Sequence, residues 1–170
     1  KLALNLYIDL SAIAKGQAVD DLALTLANRG FKSFLVEIGG EVRAQGQKPD
    51  GSKWRVGIEK PSKQLGQAIQ KIVSLDSMSI ATSGGYRNYL EYGDEIFSHT
   101  INPRTGKPVD HKLVSVSVLD PSCAVADAWA TAFMVLGAKK GLDIANRLGL
   151  KAYFLVKTDE GFKEIQSSLF

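Results

Sequence analysis

Three stretches of turn chemistry limit how this chain can fold: Pro49-Asp50-Gly51, Gly93-Asp94 and Asp159-Glu160-Gly161. Proline fixes φ and glycine supplies positive φ, so each stretch reverses the chain within a few residues. On both sides lie runs that alternate apolar and polar or are rich in β-branched residues, the pattern of strands with one buried face. Hairpins are therefore expected for 41–47 with 53–58, for 86–92 with 95–100, and for 153–157 with 162–166. Further strands are expected at 4–10, at 31–38 (halted by Gly39-Gly40), at 68–75, at 78–82 and at 113–119. Helical spacing covers 14–28, with Ala18, Leu22, Leu26 and Ala27 among its apolar positions and Gly30 as a stop. Asp120-Pro121 reads as an N-cap followed by proline at the first helical position, opening a helix that runs to Gly137. A third helix spans 139–148, with Gly149 after it. Hairpins with about three helices give an α+β class, mostly antiparallel, rather than alternating βαβ units. No repeat or linker divides the chain, so 1–170 is read as one domain.

Composition excludes several classes. The 21 basic and 18 acidic residues leave a net charge of +3, scattered along the chain with no aromatic-rich basic stripe, which argues against a nucleic-acid partner. A single cysteine, Cys123, allows no disulfide within the chain. No run reaches the ~18 apolar residues of a membrane helix. The chain opens at Lys1-Leu-Ala-Leu-Asn-Leu with neither leader nor helix cap, and reads like the middle of a fold.

Four segments carry residue types suited to chemistry. In Asp9-Leu-Ser-Ala-Ile-Ala-Lys-Gly16 an Asp leaves an extended segment and Lys15 stands near a helix start, where free N–H groups and the helix dipole suit a phosphate. Asp9 equally caps the turn and Lys15 equally faces water. In Glu37-Ile-Gly-Gly-Glu41 the paired glycines admit a ligand to the backbone or simply let two strands bend apart; Gly84-Gly85 is ambiguous in the same way. His99, at a strand end beside the proline-stiffened Asn102-Pro103-Arg104-Thr105-Gly106 turn, is exposed yet held, as a catalytic imidazole requires. It also fits a hydrogen-bonded surface residue, and His111 gives no reason to prefer function. In Ala126-Asp-Ala-Trp-Ala-Thr131, Asp127 and Thr131 share a helix face among small residues. Oxygen donors of that kind suit a hard cation such as Mg²⁺ and not zinc. A solvated Asp127, with Thr131 bonding back to the preceding turn, is the competing account.

Taken in order, these segments resemble the FAD:protein FMN transferase (ApbE) family, once called thiamine-biosynthesis lipoproteins. The resemblance rests on Asp9-Leu-Ser-Ala-Ile-Ala-Lys-Gly16, Gly39-Gly40, Thr82-Ser-Gly-Gly-Tyr-Arg-Asn-Tyr89, His99-Thr-Ile-Asn-Pro-Arg-Thr-Gly106 and Ala126-Asp-Ala-Trp-Ala-Thr131, and it runs from Ile8 to the last strand. It implies FAD as substrate, with Asp9, Lys15 and Ile101 at FAD-contacting positions. It implies Mg²⁺ on the side chains of Asp127 and Thr131 and on the backbone carbonyl of Ala12, with the Ala130 carbonyl a further ligand. His99 matches a histidine implicated in catalysis.

The reaction implied is transfer of FMN from FAD onto a Thr or Ser hydroxyl of an acceptor redox subunit, with release of AMP. The location implied is the bacterial periplasm or the outer face of the inner membrane, lipid-anchored in the full-length protein. Family members carry a long stretch before the Asp9 segment that supplies residues around the isoalloxazine ring. The chain is thus expected to be the C-terminal part of such a fold, either as a piece of a longer chain or with its other half a separate polypeptide. Hydrolysis of FAD at the same site, FAD binding without turnover, and a purely structural module are the competing readings. AMP release with and without an acceptor separates the first two from transfer, and a structural module shows no response to flavin or Mg²⁺.

Overall fold

The computed structural model describes residues 8–61, 68–84, 89–92, 95–98 and 100–170, with the backbone alone at 89–92 and 95–98. In chain order the elements are α1 (Ala14–Asn28), β1 (Phe34–Ile38), β2 (Glu41–Gln45), β3 (Trp54–Glu59), β4 (Ile69–Leu75), β5 (Ser79–Gly84), β6 (Tyr89–Tyr92), β7 (Glu95–Ser98), β8 (Ile101–Asn102), β9 (Lys107–Pro108), β10 (Leu113–Asp120), α2 (Cys123–Leu148), β11 (Lys151–Thr158) and β12 (Gly161–Gln166). Six strands form one sheet in the order β1-β2-β5-β10-β11-β12, and every pairing in it is antiparallel. Three two-stranded pairs, β3–β4, β6–β7 and β8–β9, stand apart from it. The class is α+β with a mostly antiparallel sheet, as expected.

The period of two along each strand sorts side chains onto two faces. On one face Ala81, Val116, Val118, Ala152 and Phe154 meet Ala126, Ala130, Phe133 and Met134 of α2. On the other, Val42, Ala44, Ile80, Tyr153 and Leu155 meet Ile58 and Leu75 of the β3–β4 hairpin. A smaller cluster of Val19, Ala23, Val36 and Cys123 seats α1 against β1 and the start of α2. The sheet is therefore a middle layer, and the helices share one side of it.

The structure corrects three expectations. β2 does not form a hairpin with β3. Gly39 and Gly40 both have positive φ, 59° and 97°, as a two-residue hairpin turn requires, so β2 folds back on β1. Its other edge is taken by β5. The Pro49-Asp50-Gly51 turn is real, with Gly51 N–H on the Lys48 carbonyl at 2.9 Å, but it carries the chain out of the main sheet. Asp120 is not the cap of α2: it is still paired in β10, and Ser122 caps the helix by accepting from Val125 N–H. The two helices expected on either side of Gly137 are both present, labelled together as α2 and parted there by a non-helical Gly137 at φ 77° and ψ 167°. At this break His111 Nε2 donates to the Met134 carbonyl at 2.8 Å. Residues 8–10 are irregular rather than strand, and 4–7 lie outside the described residues. The other two hairpins, β6–β7 and β11–β12, form as expected.

Candidate functional site

Alternation along β2 turns Glu41 and Arg43 toward the helix side, opposite to Val42 and Ala44 in the core. Both reach α1. Lys15 Nζ lies 2.7 Å from Glu41 Oε1, and the Arg43 guanidinium pairs with Asp20. Asp20 also takes the Ser122 hydroxyl at 2.7 Å and the backbone N–H groups of Cys123 at 3.0 Å and Ala124 at 3.1 Å. A carboxylate from α1 thus satisfies donors at the start of α2 that the helix itself leaves unpaired.

The helices touch where α1 has no side chain. A Cβ on Gly16 would stand 2.4 Å from the Cys123 carbonyl oxygen and 2.8 Å from the Ala124 Cα. This closeness lets Gly16 N–H donate to Asp127 Oδ2 at 3.0 Å. Gly16 is the third residue of α1, so its N–H is one of the first-turn donors that the helix itself leaves unpaired. Asp127 supplies its acceptor from α2. One turn along α2, Thr131 Oγ1 lies 3.1 Å from Ser83 Oγ of β5.

Asp127 and Glu41 are buried, and burial is the first cause of the shift in each carboxyl. It pushes the Asp127 carboxyl above its ordinary value, against the Gly16 N–H and the Lys15 charge. It pushes Glu41 up too, against the hydrogen bond and charge of Lys15, and the negative charge of Asp127 adds to the rise. Asp20 goes the other way: burial raises it, but the Cys123 and Ala124 N–H groups, Ser122 and Arg43 together hold it below the ordinary value.

Lys15 and Asp127 are thus brought together at the first turn of α1, which Ala12 precedes by two residues, while Thr131 lies one turn further along α2 against Ser83. Ala130 is fully buried within α2, where a carbonyl ordinarily accepts the bond from four residues on, so its oxygen is less free than that of Ala12. Asp9 is exposed and accepts from Ser11 N–H at 2.8 Å and from the Ser11 hydroxyl at 2.6 Å, a turn that leads the chain into α1. No hydrogen bond among the described residues joins Asp9 to the cluster. Ile101 is exposed and opens β8, paired with Pro108. His99 lies outside the described residues. An open cleft of about 670 Å³ lies beyond Thr131, between the β8–β9 turn and α2, with Arg104, Lys107, Asp110, His111, Val135 and Lys140 on its walls.

Sequence reasoning passed over Glu41, Ser83 and Asp20 as individual residues. Glu41 and Ser83 stand inside quoted motifs, beside Gly39-Gly40 and Gly84-Gly85. Nothing in the local sequence of Asp20 marks its role. The small-residue surface around Asp127, expected to admit a ligand, is used in part by α1 at Ala124.

The model of the ApbE family matches residues 1–154. The chain belongs to the ApbE family. It is 47% identical over 166 residues to the FAD:protein FMN transferase of Vibrio cholerae, covering 98% of this chain and 49% of that protein. It is 41% identical to the protein of the same name from Escherichia coli K12, with 98% and 47% covered. Among solved structures it superposes on the apo flavinyl transferase ApbE of Pseudomonas stutzeri with a TM-score of 0.86 and 46% identity, covering 97% of this chain and 50% of that one. The ApbE protein of Thermotoga maritima gives 0.82 at 30% identity, with 95% and 51% covered. The chain spans about half the length of the curated relatives it matches.

The donor set around Asp127 fits a hard divalent cation. A carboxylate with hydroxyl and carbonyl oxygens beside it is the hard-oxygen chemistry such a cation takes. Asp127 uses one oxygen on Gly16. Ala12 stands just before the N-cap Ile13, so its carbonyl lies outside the helix's own bonding. Thr131, when it donates its proton to Ser83, keeps lone pairs for a cation.

Proposed function

We propose that this chain forms the cation-binding and diphosphate-binding side of an enzyme that moves FMN from FAD onto a Thr or Ser hydroxyl of an acceptor redox subunit and releases AMP. One observation carries the reading. Asp127 of α2 takes the N–H of Gly16 in the first turn of α1 and feels the charge of the neighbouring Lys15 ammonium, in a chain whose family relatives are named for this transfer. A helix start with a lysine is suited to phosphate oxygens. Asp127 and Thr131 would hold Mg²⁺, with the carbonyls of Ala12 and Ala130 as further donors. When bound, the ion supplies charge neutralisation along the diphosphate.

In the transfer, the acceptor hydroxyl oxygen bonds to the phosphorus of the FMN half and the bond from that phosphorus to the AMP oxygen breaks. Lys15 holds a diphosphate oxygen through this displacement. His99 takes the hydroxyl proton, a task suited to an imidazole near neutral pH; this role rests on the family resemblance. Work outside the cytoplasmic membrane of bacteria, with a lipid anchor in the full-length protein, belongs to the same proposal and rests on the same ground.

Asp127→Asn tests the reading, because the amide keeps the shape and the Gly16 bond while removing the charge. It should abolish Mg²⁺-dependent AMP release from FAD and the rise in melting temperature that Mg²⁺ with ADP gives the wild type. Thr131→Ala should be milder, since a neutral hydroxyl binds a hard cation more weakly than a carboxylate. A folded Asp127→Asn variant with undiminished Mg²⁺-dependent AMP release rules this site out.

A further inference from the structure

Glu41 is the most deeply buried charged side chain described, at 1% exposure, and the proposed reaction gives it no task. Its Oε1 receives the Lys15 ammonium at 2.7 Å. Its Oε2 is buried with no hydrogen-bond partner. A buried carboxylate with one oxygen unpaired is a poor device for stability, because desolvation offsets most of the attraction. Nor is the pair needed as a fastener. Five residues further along α1, Asp20 meets Arg43 on the same face of β2 and holds the start of α2 as well.

What Glu41 does fix is the direction of Lys15. The Lys15 side chain is half exposed along its length, and its Cδ passes 3.5 Å from where a Cβ on Gly39 would stand. The lysine stem therefore runs beside Gly39, and Glu41, two residues on, receives its tip. Lysine has four rotatable side-chain bonds and loses much freedom when a ligand must immobilise it. Here the immobilisation is already made in the free protein.

We propose that Glu41 is a positioning residue that holds Lys15 pre-aimed at the diphosphate. This rests on the reading of the α1 start as a phosphate site. Phosphate oxygens then meet an ammonium already in place, shared between Glu41 and the ligand.

Charge alone predicts the opposite sign, since removing a negative group beside a phosphate should tighten binding. The test uses that conflict. ADP affinity in the presence of Mg²⁺ is measured by calorimetry on the wild type, Glu41→Gln, Lys15→Met and the double variant, with melting curves to show that each is folded. Positioning predicts that Glu41→Gln weakens ADP binding by about ten-fold, the cost of one immobilised flexible side chain. In the Lys15→Met background the same change should leave ADP affinity unchanged or improve it. Glu41→Asp, one methylene shorter, should recover part of the loss only where Lys15 is present. A Glu41→Gln variant that binds ADP as well as or better than the wild type overturns the proposal, and so do additive losses in the double variant. A wild type that binds no ADP with Mg²⁺ overturns the phosphate site itself, and the aim of Lys15 with it.

Discussion

Gly16→Ala probes the contact on which the site is built. The added methyl would stand 2.4 Å from the Cys123 carbonyl oxygen, 2.7 Å from its carbon and 2.8 Å from the Ala124 Cα. All three are backbone atoms at the start of α2, which Ser122 and Asp20 already pin, so no side chain can swing aside. Overpacking of this kind belongs at the upper end of its usual range, ~3 kcal/mol. Alanine regains ~1 kcal/mol of helix propensity over glycine. The net loss is then about 2 kcal/mol, or ~4–8 °C of melting temperature in a domain of this size. The relief available is to move α1 off α2, which also lengthens the Gly16–Asp127 bond. Thermal unfolding followed by circular dichroism gives the first effect, and the Mg²⁺-dependent shift in melting temperature gives the second. A Gly16→Ala protein that melts at or above the wild type, with its Mg²⁺ response intact, would refute the close crossing.

Two further outcomes follow from the same geometry and from the proposed chemistry. The Asp20 carboxyl titrates below its ordinary value of 3.8, so its contribution is complete above that pH and fades as pH falls through the folded value. Asp20→Asn should therefore cost ~1 kcal/mol at neutral pH, the scale of a lost helix cap, and urea midpoints of the two proteins should converge in acid; a gap that persists there would place the effect outside the charge. His99→Ala should keep ADP and Mg²⁺ binding while FMN transfer falls by roughly 10²–10⁴-fold and the pH profile loses its limb near the histidine pKa; weakened ADP binding with normal transfer at saturation would make His99 a binding residue.

Local periodicity and turn chemistry carried most of the secondary structure. Gly137 and Gly149 were legible as helix breaks because no other residue takes positive φ so readily. The β2–β3 hairpin was misread because the competition between two turns is settled by the sheet: Gly39-Gly40 folds β2 onto β1, and β5 then fills the remaining edge. The pair Asp127–Thr131 was legible because i and i+4 share a helix face. Asp20 was not, because its partners lie 102, 103 and 104 residues away and no local spacing records them. Glu41 was visible only as the residue after two glycines. Its burial and its lysine belong to the tertiary fold.

The carboxylates at the crossing of α1 and α2 divide two tasks between them. Asp20 has donors from Ser122, Cys123, Ala124 and Arg43, and they hold its charge against burial. It behaves as a fastener, and its loss should be read first in stability. Asp127, seven residues after the edge of β10, has the single Gly16 N–H, and burial wins over it. A charge so poorly compensated adds little to the fold. It is open to a partner that brings positive charge, and whatever binds it in the folded chain alone adds stability by mass action. Asp127→Asn should accordingly leave the cation-free protein about as stable as before, or more so, while removing the gain that Mg²⁺ confers. Both residues join the two helices, Asp20 from α1 to the start of α2 and Asp127 from α2 back to Gly16, and the separation of their effects is what distinguishes a built site from a structural clasp.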